Sequence, residues 1–245
     1  ETHAMIAALN ELFKRLSEAI ENITLFTANA AHELRTPLAV QKVHAQIALQ
    51  SKDEETRNEA LNEIVHSVER ATSSVEQLLT LSRLDPHGEL NKDDYVDIVK
   101  AIENVMADLA PTAIEKDIDI SLNAAGKRKV CGREGLINIL VRNLVENAIR
   151  YTPEGGKIEV DVHESDNNKM VLRIADNGPG IPPEEREQVC ERFYRSQDSD
   201  QYGTGLGLSM VKRIIENHQA DIQLGDSPLG GLKVEVSFRL AEKPQ

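Results

Sequence analysis

The first third of the chain carries apolar residues at spacings of three and four, the repeat of a helix with one apolar face. The polar stretch 51–55 separates two such segments and is typical of a turn followed by a helix start. In the second segment the spacing alternates between three and four without error, as in a helical bundle or coiled coil. Its apolar positions are Leu61, Ile64, Val68, Ala71, Val75 and Leu78. The pattern therefore predicts a helical hairpin.

A single helical hairpin cannot bury its apolar seam by itself. Two hairpins paired as a four-helix bundle would bury it, so we predict a homodimer. An intramolecular helical core is the alternative, but the sequence offers no further helices that would close one. The segment 85–88, Asp-Pro-His-Gly, ends the helical pattern and is the best candidate for a domain boundary.

From about residue 91 the pattern changes to helical stretches that alternate with short strand-like runs. Two pairs of these runs are predicted to be antiparallel, because connections 166–168 and 229–231 are too short for helical crossovers. We predict a mixed sheet with helices on one face, a two-layer α/β sandwich. The predicted helices are Ile98–Glu115, Arg133–Tyr151 and Gly205–His218; the predicted strands include Ile118–Leu122, Ile158–Val162, Met170–Ala175 and Leu232–Leu240.

The composition narrows the possible functions of this chain, which we predict to be multidomain, with a helical (α) domain followed by an α+β domain. A length of 245 residues is enough for one or two real cores. The net charge of -13 argues against direct nucleic-acid binding, which usually needs a basic face. Cys131 and Cys190 are too few and too far apart for a disulfide scaffold or a zinc site, which favours a reducing compartment. No run of 18 apolar residues occurs, so no bilayer span is predicted.

His32 stands on a helix-period segment with Glu33 beside it and Thr36 one turn later. A lone histidine at such a position is most often a solvated or satisfied core group. Neutral imidazole is nevertheless a competent nucleophile, and Glu33 can accept the proton from its other ring nitrogen. A zinc-protease motif is excluded, because it needs a second histidine where Thr36 stands.

Asn143 and Asn147 are four residues apart, so both amides project from one face of a predicted helix. Amide oxygens suit Mg²⁺, which bridges phosphates and keeps several waters. We therefore take Asn147 as a metal ligand and Asn143 as support for the phosphates. Arg150 and Tyr151 follow on the next turn, placed to reach phosphate and to stack on adenine. Without the glycine-rich segments that follow in the sequence, two asparagines on a helix would be interpreted as ordinary polar surface residues.

Asp176 ends a predicted strand and opens the sequence Asn-Gly-Pro-Gly. Its carboxylate can accept a hydrogen bond from the exocyclic amine of adenine, while Gly178 and Gly180 allow the backbone to approach the base. An ordinary tight turn is the alternative, since Asn-Gly and Pro-Gly are strong turn signals.

A second glycine-rich segment, 203–209, precedes a helix, and free amides at a helix start favour phosphate. It is not a dinucleotide fingerprint, because Leu208 stands where a third glycine is needed, and no P-loop lysine follows any glycine run. The polar segment 194–202 is predicted to be a mobile lid, with Arg192 and Arg195 supplying charge to the phosphates.

Five motifs in this order resemble the cytoplasmic core of a bacterial sensor histidine kinase, of the class that pairs with OmpR-type (winged-helix) response regulators. The resemblance covers nearly the whole chain. The motifs are the H box (32–37), the N box (143–151), the first glycine box (176–181), the F box (191–195) and the second glycine box (203–209).

The resemblance implies three segments: the end of a HAMP-like signalling helix (1–20), a dimerisation and histidine-phosphotransfer domain (21–88) and an ATP-binding domain of the gyrase, chaperone, histidine-kinase and MutL type (89–245). It implies ATP and Mg²⁺ as cofactors, with Asn147 on the metal. The expected nucleotide-binding residues are Asn143, Asn147, Arg150, Tyr151, Asp176, Asn177, Gly178, Gly180, Ile181, Arg192, Phe193, Arg195, Gly203, Thr204, Gly205, Leu206, Gly207 and Leu208.

The implied activity is autophosphorylation of His32 by ATP, followed by transfer to an aspartate on the receiver domain of a response regulator. Thr36 resembles the threonine that positions water when such enzymes dephosphorylate their partner, so it joins His32 and Glu33 as a catalytic candidate. The parent protein is expected to enter the inner membrane of a bacterium just upstream of residue 1, leaving this portion soluble in the cytoplasm.

The rival hypothesis is an ATP-driven conformational clamp, since the predicted pocket also resembles that of gyrase, MutL and heat-shock-chaperone ATPases. Those enzymes usually carry a glutamate, acting on water, where this chain has Asn143. That departure favours a kinase. A pseudokinase scaffold ranks last, because His32 and both asparagines are present.

Overall fold

The computed structural model describes Leu9, Phe13 and residues 35–83, 94–124, 129–165, 167, 169–191, 194 and 207–240. Contacts within the chain divide it into two units, Glu1–Leu79 and Thr80–Gln245. No helix in the described parts of the chain has the length and apolarity needed to cross a membrane.

The first unit contains a helical hairpin. Helix α1 is described over residues 35–50, and α2 spans Glu54–Arg83. Asp53 caps α2, since its Oδ2 accepts the N–H of Thr56 at 2.9 Å and the hydroxyl of Thr56 at 2.7 Å. These bonds, led by the Thr56 hydroxyl, lower the pKa of Asp53. The turn and helix start predicted at 51–55 are thus confirmed.

The two helices of the hairpin are joined by a hydrogen bond in which the hydroxyl of fully buried Ser67 donates to the carbonyl of Pro37 at 3.0 Å. Large apolar side chains on both helices nevertheless remain exposed within one chain. They are Leu38, Val43, Ile47 and Leu49 on α1, and Leu61, Val65, Val68, Val75 and Leu79 on α2.

The second unit is a two-layer α/β sandwich, as predicted. Its helices are α3 (Ile98–Glu115), α4 (Glu134–Tyr151) and α5 (Gly207–Asn217). Its strands are β1 (Tyr95–Asp97), β2 (Asp119–Ala124), β3 (Lys129–Cys131), β4 (Lys157–Glu164), β5 (Lys169–Asp176), β6 (Asp221–Asp226) and β7 (Leu232–Arg239).

The five-stranded sheet has the order β2-β4-β5-β7-β6. Strand β2 is parallel to β4, and all other neighbouring pairs in this sheet are antiparallel. The mixed sheet and both antiparallel pairs are therefore confirmed. A separate antiparallel pair, β1 with β3, was not predicted. Each of its strands has three residues, too few for an alternating pattern to stand out in the sequence.

Helix α4 lies between α3 and α5 and packs on the sheet. The core contains the fully buried side chains of Ile98, Ile137, Leu140, Leu172 and Phe238. Asp97 caps α3 by accepting the N–H of Lys100 at 3.3 Å. Because α4 is packed against two helices and the sheet, the positions of its side chains are restricted.

Candidate nucleotide-binding site

Asn143 and Asn147 project from one face of α4, as predicted, and that face meets the start of α5. A Cβ atom added to Gly207 would lie 3.2 Å from Oδ1 of Asn143 and 3.3 Å from Nδ2 of Asn147. Asn143 is 6% exposed, and its Nδ2 donates to the carbonyl of Ile139 at 2.8 Å, which fixes the orientation of its amide. The amide oxygen of Asn143 therefore points towards the glycine.

The Asp176 carboxylate lies at the end of β5 and is 5% exposed. Its Oδ1 accepts two main-chain N–H groups, from Gly178 at 2.9 Å and from Leu232 at 3.1 Å. Burial raises the pKa of Asp176, and these two hydrogen bonds act in the opposite direction. Since both bonds use Oδ1, Oδ2 can serve as an acceptor for a ligand.

Glycines allow three backbone segments to meet around Asp176. A Cβ on Gly178 would lie 2.7 Å from the carbonyl oxygen of Tyr151, and a Cβ on Gly231 would overlap Oδ1 of Asp176. Gly180 has φ +72°, the left-handed region that favours glycine. Gly231 lies outside the predicted motifs; it was missed because its close approach depends on the distant β6–β7 turn.

Two further residues of the first glycine box have structural partners. Oδ1 of Asn177 accepts a hydrogen bond from the N–H of Lys157 at 2.8 Å. This side-chain oxygen therefore adds one hydrogen bond to the pairing of β4 with β5. The carbonyl of Ile181 accepts Nε of Arg186 at 2.9 Å, and Arg186 pairs with Asp226 at 2.5 Å. Arg186 thus fixes the segment after Gly180, a role with no local sequence signal. Direct contacts of Asn177 and Ile181 with nucleotide stay predictions.

The start of α4 is fixed by a buried histidine. His218 is 2% exposed; its Nδ1 lies 2.7 Å from the carbonyl of Ile214, and its Nε2 accepts the N–H of Arg133 at 3.2 Å. Nδ1 therefore carries the proton of a neutral ring. Burial lowers the pKa of His218; the Arg133 charge acts in the same direction, while Ile214 and Asp94 oppose it. This contact, too, was missed by the sequence motifs.

The structure brings the N box, the first glycine box and the start of α5 to one end of the sandwich. Arg150 is exposed and Tyr151 half-buried at the end of α4, while Leu208 is half-buried in the first turn of α5. Thr36 is exposed on α1 in the other unit. The predicted residues that lie outside the described part of the chain are His32, Glu33, Arg192, Phe193, Arg195, Gly203, Thr204, Gly205 and Leu206.

The donor set fits a magnesium nucleotide. The side-chain-free space at Gly207 faces two amides at the first described turn of α5, and main-chain N–H groups in the first turn of a helix favour phosphate. A buried carboxylate with an available oxygen suits an exocyclic amine. In the described residues no three His, Cys, Asp or Glu side chains are grouped to hold a metal. Amide oxygens, together with phosphates and water, are ligands that suit Mg²⁺.

Comparisons with known proteins identify the two domains. Residues 22–87 match the family model described as His Kinase A (phospho-acceptor) domain. Residues 132–242 match the model described as histidine kinase-, DNA gyrase B-, and HSP90-like ATPase. The second match contains every described residue of the candidate site.

Similar proteins carry names of the same kind. Over 238 residues, 96% of this chain and 50% of the relative, it is 43% identical to the sensor protein kinase PmrB of Pseudomonas aeruginosa. Over 240 residues, 97% of this chain and 52% of the relative, it is 37% identical to the sensor protein QseC of Escherichia coli K12. The chain thus spans about half the length of these curated relatives.

Among solved structures, the Acinetobacter baumannii histidine kinase AdeS superposes with a TM-score of 0.62 at 26% identity, covering 86% of this chain and 98% of that one. The mycobacterial sensor histidine kinase MprB has a TM-score of 0.52 at 29% identity, covering 60% of this chain and 97% of that one. The chain belongs to the sensor histidine kinases and contains their phospho-acceptor and ATP-binding domains.

Proposed function

We propose that this chain is an ATP-dependent protein-histidine autokinase that acts in two-component signalling. The observation that carries the proposal is the pocket around Gly207, where Asn143 stands at the position that gyrase-like ATPases usually fill with a glutamate acting on water. Within the described residues of that pocket, Asn143 and Asn147 offer amides, which cannot take a proton from water at neutral pH. The γ-phosphate is therefore available to another nucleophile.

His32 is the proposed nucleophile. One neutral ring nitrogen attacks the γ-phosphorus, the bond to the bridging oxygen of ADP breaks, and the proton on the other ring nitrogen passes to Glu33. The chain's role in such a transfer is mainly positioning and charge neutralisation. When bound, Mg²⁺ would neutralise negative charge on the phosphates, and Asn147 is its proposed ligand. Asn143 and Arg150 are proposed to support the phosphates. Arg192 and Arg195 are proposed to add positive charge there.

Adenine recognition is assigned to the turn at the end of β5. Oδ2 of Asp176 accepts the exocyclic amine, while Gly178 and Gly180 admit the ring and Tyr151 stacks on it. The support is the buried carboxylate whose Oδ1 is already occupied by two main-chain N–H groups. The second glycine box, 203–209, is proposed to surround the phosphates.

The proposed partners are a second copy of the chain and the receiver domain of an OmpR-type response regulator, which takes the phosphoryl group on an aspartate. Dimerisation is supported by the apolar side chains that one hairpin leaves exposed, among them Leu38, Val43 and Leu61. Thr36 is the candidate for a second activity, dephosphorylation of that aspartate.

The proposed segments are 1–20 (end of a signalling helix), 21–88 (dimerisation and phosphotransfer) and 89–245 (ATP binding). In the parent protein, this portion would face the cytoplasm beside the bacterial inner membrane. That placement rests on the resemblance to sensor histidine kinases and on relatives of about twice the length that are named sensor proteins.

Incubation with γ-labelled ATP and Mg²⁺ tests the proposal. We expect label on the protein that is stable to base and lost in acid, the behaviour of phosphohistidine. Rapid release of free phosphate without labelled protein would favour the gyrase-like clamp instead. Binding of nucleotide with neither product would indicate a scaffold.

A further inference from the structure

The C-terminal end of α4 is held by a lysine that lies outside every motif. Nζ of Lys116 donates to the carbonyl oxygens of Ile149 at 2.8 Å, Arg150 at 2.9 Å and Thr152 at 2.9 Å. A helix leaves its last carbonyls without N–H partners of its own, and an ammonium has three donors. The whole donor capacity of Lys116 is therefore directed at this one helix end.

The main chain of Lys116 is fixed as firmly as its ammonium. Its N–H donates to Thr112 at 3.3 Å, closing the end of α3, and its carbonyl accepts the N–H of Gly155 at 3.1 Å. The next residue, Asp117, has φ +53°, which turns the chain sharply into β2. Lys116 thus joins the end of α3 to the turn between α4 and β4.

The last turn of α4, which Lys116 holds, lies against the first glycine box. It contains Arg150 and Tyr151, and the carbonyl of Tyr151 lies so close to Gly178 that a Cβ there would approach it to 2.7 Å. The end of α4 and the Asp176 turn are therefore in direct contact. A positive charge at the negative end of the helix dipole stabilises this arrangement electrostatically.

We infer that Lys116 is a positioning residue for nucleotide binding. It acts through the main chain of Ile149, Arg150 and Thr152, and it keeps the last turn of α4 seated against Gly178 so that Arg150 and Tyr151 meet the ligand. The inference rests on the proposed nucleotide site and deepens it. It assigns to Lys116 no contact with the nucleotide and no part in the phosphoryl transfer itself.

The test compares Lys116→Met with Arg173→Met in the whole chain. Arg173 donates to Oδ2 of Asp161 from Nε at 3.1 Å and from Nη2 at 2.8 Å, so its loss also removes charge-assisted hydrogen bonds. It lies between buried Leu172 and Ile174 on β5, and its side chain therefore points to the opposite face of the sheet from the helices. The control thus separates lost stability from lost positioning.

MgADP affinity is measured by calorimetry below the melting temperature of each variant. We expect Lys116→Met to raise Kd by about tenfold and Arg173→Met to leave it within about twofold. In autophosphorylation, KM for ATP should rise with Kd in Lys116→Met, while the rate at saturating ATP stays within about twofold of wild type. A fall in the saturated rate with unchanged KM contradicts the positioning role.

Lys116→Arg provides a second reading if the methionine variant does not fold. A planar guanidinium keeps the charge but cannot direct donors from one point to three carbonyls, so Kd should still rise by a few-fold. The inference would be overturned if Lys116→Arg and, where it folds, Lys116→Met both bound MgADP with wild-type affinity. It would also be overturned if Arg173→Met lost as much affinity as the Lys116 variants. Wild-type protein that binds no nucleotide would contradict the proposed function itself, which is a distinguishable result.

Discussion

The main-chain N–H of Leu232 donates to Oδ1 of Asp176 at 3.1 Å, linking the start of β7 to the end of β5 across 56 residues of sequence. Together with the N–H of Gly178, it fixes the plane of a carboxylate that is 5% exposed. This orients Oδ2 without using it. The carboxylate is therefore organised as an acceptor before any ligand arrives, which is the arrangement expected of a base-recognition site.

Asp176→Asn should weaken ATP binding without weakening the fold. An asparagine oxygen can still accept from Gly178 and Leu232, but its NH₂ group cannot accept the adenine amine. Losing a hydrogen bond to a charged group costs about 1.5–3 kcal/mol, or about 10–150-fold in Kd. The measurement is calorimetry with ADP and with IDP, whose ring carries an oxygen in place of the amine; preference for ADP should fall sharply.

Stability provides the control for this variant. Because burial raises the pKa of Asp176, its ionised form costs folding free energy at neutral pH, so the neutral asparagine should be as stable as wild type or more so. A variant that unfolds more easily and binds both nucleotides equally less well would show that Asp176 is structural.

Asn147→Ala should abolish the magnesium-dependent part of nucleotide binding, because it removes an amide oxygen beside Gly207. We expect ATP affinity to fall by about tenfold or more in Mg²⁺ and to be nearly unchanged in EDTA, with labelling not rescued by excess ATP. Asn138→Ala is the matched control, because Asn138 lies nine residues earlier on the same helix and therefore on its opposite face. Normal affinity and labelling in Asn147→Ala would transfer the metal role to Asn143.

His218 should make the stability of the ATP-binding domain depend on pH. Its pKa is lower in the folded state than in the unfolded chain, so the unfolded chain binds a proton first as pH falls below about 6.5. Stability from this residue is therefore complete above that value and is lost on acidification. Urea unfolding between about pH 7.5 and about pH 5.5 should show a steeper loss in wild type than in His218→Gln.

His163→Gln is the control for this pH dependence, since His163 is exposed on β4. Its slope should equal that of wild type. Equal slopes in wild type and His218→Gln would mean that burial of the ring and the hydrogen bond from the N–H of Arg133 to Nε2 do not restrict its protonation.

Thr36→Ala should separate two activities. Thr36 is exposed on α1, so its replacement should change the free energy of unfolding by no more than about 0.5 kcal/mol. Thr36 follows His32 by four residues in the sequence, a spacing that would place both on one face of a continuous helix, where we propose that a phosphorylated regulator docks. Autophosphorylation should survive, while purified phospho-regulator should lose phosphate more slowly when kinase and ADP are added. Equal loss of both activities would make Thr36 structural.

The limits of α3 agree with the prediction at both ends, because an N-capping aspartate and a regular apolar repeat are local signals. The shared face of Asn143 and Asn147 also follows from spacing alone. The roles of Lys116, His218 and Leu232 could not be predicted in this way. Each depends on a contact between residues more than 30 positions apart, and in two of the three the partner is a main-chain group, which carries no sequence signal.

The most direct test of the central claim compares wild type, His32→Gln, His44→Gln and His66→Gln for acid-labile label from γ-labelled ATP, with MgADP affinity measured in parallel. Only His32→Gln should lose the label, and all four proteins should bind MgADP within about 1 kcal/mol of one another, because the phosphoacceptor and the pocket lie in different domains. Acid-labile label retained on His32→Gln would contradict the account and place the phosphoacceptor elsewhere, with His44 and His66 the next candidates.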